Sequence, residues 1–122
     1  IYMLRYIIIV SCLIFLSACS RLPAQVKTEP TTIPPGQFYF FSQTCPHCAV
    51  VKDYIDNNRI QDSFYFISQD VNNDRRAYEL FVAVGERCGL NERRLAIPLF
   101  WDGSNCYLGE EKVINYFKTF SK

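Results

Sequence analysis

Cys45-Pro46-His47-Cys48 brings together the residue types in this chain best suited to sulfur chemistry. Two thiols at i and i+3 in the first turn of a helix lie close enough to bridge. The first also faces the free N–H groups and the positive end of the helix dipole, which together stabilise a thiolate. An ionised Cys45 is a competent nucleophile and a good leaving group in thiol–disulfide exchange. His47 adds to this when protonated, and Pro46 loses nothing in a first turn by lacking an N–H. His47 reads as a thiolate stabiliser rather than a general base, because the sequence offers no carboxylate to orient it.

Two other uses of the motif stay open. It can be an inert structural disulfide, or it can bind a metal. Zinc wants four ligands, and only Cys45, Cys48 and His47 converge, but copper(I) accepts two thiolates. A copper(I) carrier or sensor is thus the alternative to a redox pair. Cys88 and Cys106 are left over, and in an oxidising compartment leftover cysteines pair. A structural disulfide is the favoured reading there, with a second redox relay or two free thiols as alternatives.

These residues need a compartment and a scaffold. The chain has 122 residues, enough for one domain, with 49% hydrophobic side chains, eight Tyr and ten Phe to form a core. Lys plus Arg is 13 and Asp plus Glu is 12, so no strong field attracts nucleic acid. No nucleic-acid partner is expected.

The N-terminus reads as a targeting segment. After Arg5 comes an apolar run from Tyr6 to Leu16, eleven residues where a membrane-spanning helix needs about 20. It leads into Leu16-Ser17-Ala18-Cys19, which resembles the lipobox of bacterial lipoprotein signal peptides. That resemblance implies cleavage before Cys19 and lipidation of Cys19. An uncleaved anchor or an ordinary secretory signal is the alternative. Two or more acyl chains would hold the protein stably on a membrane. Ser20 occupies the place where Asp resembles an inner-membrane retention signal. In a diderm bacterium the expected location is therefore the outer membrane, facing the periplasm. Residues 20–36 hold four of the six prolines and read as a semi-rigid tether. The domain organisation is then a signal peptide over 1–18, a lipidated cysteine and tether over 19–36, and a folded unit over 37–122, expected to be a monomer.

Within that unit, residues 38–41 are a run of β-formers that reads as a buried strand. Thr44 is a good N-cap for a helix from Cys45 to about Asn58. Residues 63–67 read as a second strand. Asn73 or Asp74 caps a second helix to about Cys88, with Tyr78, Phe81, Val82 and Gly85 on its apolar side and Gly89 as its stop. Residues 97–101 read as a third strand, and Asp102-Gly103 turns into a fourth at 106–108. Glu110 and Glu111 open a last helix to about Phe120, with Val113, Ile114, Phe117 and Phe120 inward. The order, βαβ then ββα, requires one parallel pair and one antiparallel pair. An α/β fold with a mixed four-stranded sheet and flanking helices satisfies both. Trp101, Phe100 and the 38–41 run belong to its core, and Arg93 and Arg94 to a solvated loop before Pro98, with substrate contact as the alternative.

A strand, a CxxC motif opening a helix, and Ile97-Pro98 about fifty residues further on resemble the thioredoxin superfamily. The resemblance covers nearly all of 37–122. It implies that Cys45 and Cys48 are the redox pair, supported by Pro46, His47, Ile97 and Pro98, with Pro98 cis beside them and no cofactor. Element order and the Asp102-Gly103 hairpin are closer to glutaredoxin, while Pro46-His47 and Phe40-Phe41-Ser42 resemble the periplasmic oxidase DsbA. Protein thiols and disulfides are the implied partners, with a separate partner to recycle the pair. Direction is left open: Pro46-His47 leans oxidising, and Ile97 before the proline leans reducing. Three features depart from the pattern. Tyr39 stands where thioredoxin and DsbA carry an acid, Glu110 and Glu111 would repel the glutathione carboxylate, and DsbA's inserted helical domain has no room here.

Overall fold

A computed structural model describes residues 2, 3 and 31–121. The expected signal peptide beyond Met3, Cys19 and the tether up to residue 30 lie outside the described residues. The elements run β1 (Phe38–Phe41), α1 (Pro46–Asn57), α2 (Ile60–Ser63), β2 (Ile67–Asp70), α3 (Arg75–Arg87), β3 (Leu99–Trp101), β4 (Cys106–Leu108) and α4 (Glu110–Lys118). One sheet has the strand order β2-β1-β3-β4. β1 pairs parallel with β2 and antiparallel with β3, and β4 is antiparallel to β3. This is the mixed sheet that the βαβ and ββα halves require. No helix among the described residues is long and apolar enough to cross a membrane.

Strand alternation divides the core into two layers. Phe38, Phe40, Leu99 and Trp101 point to one face and pack against Leu80, Phe81 and Val84 of α3. Tyr39 and Phe100 point to the other, against Val51 and Ile55 of α1 and Val113 and Phe117 of α4. Successive residues of β1 are buried on opposite faces, so the central strand reads as a continuous apolar run.

Three expectations about the elements are corrected. The second strand begins at Ile67, where the sequence reading ended it. Residues 60–63 instead form one helical turn, entered through Arg59 in the left-handed region at φ 47°. Phe64 and Phe66 pack into the aromatic layer with Phe100 and Phe117 from a loop. The inward face of α3 is Ala77, Leu80, Phe81, Val84 and Gly85, while Tyr78 is 52% exposed. The N-cap of α1 is Cys45, one residue beyond Thr44.

Residues 31–36 lie against the domain. Ile33 packs against the α3 side of the core. Residues 31–36 wall a groove of about 730 Å³ with Tyr78, Val82 and Trp101. Trp101 pairs with Phe38, so this groove lies at the end of the sheet opposite Cys45.

Asp102 holds the β3–β4 hairpin. Its carboxylate accepts from the Ser104 and Asn105 amides at 2.8 and 2.7 Å and from the Tyr107 hydroxyl at 3.1 Å. Burial raises this carboxyl, but the hydrogen bonds outweigh it and hold the group below its ordinary value. Stability from a lowered carboxyl is present above its unfolded value and lost as pH falls through the folded one. Asp102→Asn should therefore melt below wild type at pH 7, with the gap closing below about pH 4. Thermal unfolding at the two pH values checks this.

Candidate active site

Phe41 ends β1, and a short turn then delivers the chain to Cys45. Buried Ser42 organises that turn. Its hydroxyl accepts from the Thr44 amide at 3.3 Å and from Asn72 Nδ2 at 2.8 Å, and lies 3.1 Å from Thr44 Oγ1. Its carbonyl accepts from the Cys45 amide at 3.2 Å. Asn72 comes from the loop after β2, so the two parallel strands jointly set the entry to α1.

Cys45 caps that helix with its sulfur. The Cys48 N–H donates to Cys45 Sγ at 3.2 Å, the geometry a serine or aspartate cap provides with oxygen. Pro46 occupies the first helical position, where no N–H is needed. Cys45 and Cys48 are bonded as a disulfide with Cα atoms 5.2 Å apart. The two sulfurs are unequal: Cys45 is half-buried, whereas Cys48 is 2% exposed. An incoming group therefore meets Cys45 first.

The other side of the site comes from β3 and α4. The Ile97–Pro98 peptide is cis, and the Ile97 carbonyl oxygen lies 4.0 Å from Cys45 Sγ. Gly85 lets this segment approach: a Cβ there would sit 2.5 Å from Leu95 Cδ1. The Pro98 carbonyl accepts from the Gly109 amide at 2.8 Å, which fixes the start of α4 beside the motif. Gly109 has φ 93°, a conformation that glycine adopts without a steric penalty.

That placement supplies what the sequence reading lacked. Glu110 Oε2 lies 2.7 Å from His47 Nδ1, so His47 does have an orienting carboxylate. The two residues are 63 positions apart and no local pattern connects them. Tyr39 lies beneath the motif, 3% exposed, its hydroxyl donating to the Cys48 carbonyl at 3.4 Å. Burial pushes this phenol well above its ordinary value, so it stays neutral and does not replace the missing acid.

Cys88 and Cys106 are also bonded, with Cα atoms 6.2 Å apart. They join the end of α3 to the start of β4. Cys106 pairs with Trp101, at the end of the sheet away from Cys45, so the two disulfides do not meet. Arg93 is exposed, as is Arg94, whose guanidinium donates to the Gly89 carbonyl at 2.7 Å. Among the described residues, no three His, Cys, Asp or Glu side chains cluster as a metal site would.

No family model matches this chain, and no curated protein matches it. It is similar to solved glutaredoxin structures, among them the following three. Oxidised glutaredoxin 2 from Chlamydomonas reinhardtii is 12% identical with a TM-score of 0.48, over 69% of this chain and 72% of that one. A buckwheat glutaredoxin–glutathione complex is 14% identical, TM-score 0.49, over 69% of each chain. The holo form of glutaredoxin C1 from Populus tremula x tremuloides is 15% identical, TM-score 0.46, over 70% and 76%. The described domain, with sheet order β2-β1-β3-β4, a CxxC pair opening the first helix and a proline opening β3, has a thioredoxin-like fold.

Proposed function

We propose that this protein is a thiol–disulfide oxidoreductase of the bacterial cell envelope. One observation carries the redox reading: a bonded Cys45–Cys48 pair whose accessible sulfur caps a helix N-terminus. When the pair is reduced, the Cys45 thiolate attacks a substrate disulfide. A Cys45–substrate bond forms and one substrate thiolate leaves. The Cys48 thiolate then attacks Cys45 sulfur, closing the pair and releasing the second substrate thiolate. Two electrons pass from the pair to the substrate, and the reverse sequence oxidises a dithiol. The exposed residues around Cys45 suit polypeptide substrates, with the buried cis Pro98 behind that surface. A partner protein restores the starting redox state.

The envelope location rests on the lipobox-like segment ending at Cys19. Lipid on Cys19 and the proline-rich stretch behind it would hold the domain off the membrane, facing the periplasm in a diderm cell.

Cys48→Ser tests the reading. Without its resolving thiol, Cys45 should stay bonded to its partners, giving mixed disulfides in cells that reducing agent dissolves. Non-reducing gels of cell extracts show them. If none forms, and the wild-type protein neither reduces nor oxidises a model peptide disulfide, the enzyme reading is lost. Stoichiometric copper(I) binding without disulfide turnover would favour the metal module instead.

A further inference from the structure

We infer that Glu110 selects substrates by charge, so that Cys45 exchanges faster with cationic disulfides than with anionic ones. The inference rests on the exchange reading above and specifies its substrate class.

Glu110 is the charged side chain that the described structure places in contact with the motif, on His47, between the two cysteines. It is 34% exposed, enough to act on an approaching molecule, and His47 is 74% exposed. Glu111 stands beside it in the first turn of α4. Gly109 provides no side-chain cap there, so the positive end of this helix faces the chain's own carboxylates. An anionic group on a substrate meets the Glu110 carboxylate, which contacts the residue between the two cysteines. The same carboxylate attracts a cationic group.

Removing the Glu110 carboxylate should therefore weaken the preference for cations. A residue that merely raised or lowered the reactivity of Cys45 would change the rate for every substrate by the same factor.

The experiment uses three small disulfides: oxidised glutathione, which is anionic, neutral 2-hydroxyethyl disulfide, and cationic cystamine. The full chain is reduced, freed of reductant, and mixed with each in turn. Each reaction oxidises the Cys45–Cys48 dithiol to the disulfide and reduces the small disulfide to two thiols. Wild type should prefer cystamine over glutathione, each rate taken relative to the neutral compound. Glu110→Gln should shrink that preference about threefold to tenfold, the size of one unit charge removed at several ångströms in a mostly aqueous setting. In 0.5 M salt the differences should be compressed. Unchanged ratios in Glu110→Gln, or equal changes for all three compounds, overturn the charge inference and leave the exchange reading standing. Failure of wild type to react with any of the three defeats the exchange reading itself.

Discussion

Cys45→Ser should abolish exchange, lowering the rate with a model peptide disulfide by about a thousandfold or more. The loss is chemical rather than structural. A serine hydroxyl stays protonated at neutral pH and cannot form a disulfide with substrate or with Cys48. Serine is also a good N-cap, and the half-buried position tolerates the smaller atom, so α1 should persist. Unchanged circular dichroism beside the lost activity separates the two causes. Residual exchange above a few per cent would mean that another thiol begins the reaction. The Cys88–Cys106 pair sits at the far end of the sheet, so Cys88→Ala with Cys106→Ala should leave the exchange rate intact.

Phe117→Ala should be the most destabilising core substitution, by about 3–5 kcal/mol. Phe117 is fully buried, and its ring packs with those of Phe66 at 5.2 Å, Phe100 at 5.0 Å and Tyr39 at 6.4 Å. These come from β1, β3 and the loop before β2, so one ring ties α4 to half of the sheet. Truncation leaves a cavity that rigid aromatic neighbours cannot collapse to fill. A domain of this size has about 5–15 kcal/mol in total, so the variant should be partly unfolded under mild conditions. Urea unfolding measures it, with Tyr65→Ala as the control. Tyr65 is 79% exposed and its loss should change stability by under about 0.5 kcal/mol.

What the sequence made legible follows from where each signal was local. β1 was readable because four successive β-formers lie between Pro-Gly and a polar turn, and burial on both faces requires such a run. The motif at the head of α1 was readable because the proline and both cysteines fall within four residues, although the reading put the cap one residue early, at Thr44. β2 was misread because the apolar stretch before it serves the aromatic layer between helices. The real strand, Ile-Ser-Gln-Asp, is an edge that pairs with β1 alone and stays partly exposed. On α3 two stripes compete: Tyr78 and Val82 are four apart, and so are Leu80 and Val84. Only packing on the sheet chooses the second. The contact between Glu110 and His47 had no local trace at all. It depends on Pro98 holding Gly109 in place, a consequence of the assembled sheet edge.

Alkylation of Cys45 across pH tests the central claim most directly. If the helix end and the Cys48 amide stabilise negative charge on this sulfur, the reduced protein should react with iodoacetamide at half its maximal rate below about pH 7. Cys48, buried behind it, should stay largely unlabelled. A midpoint at or above about pH 8.5, the ordinary value for a free cysteine, would contradict the account. The helix terminus would then be capped by an inert sulfur, and the pair would have no claim to exchange.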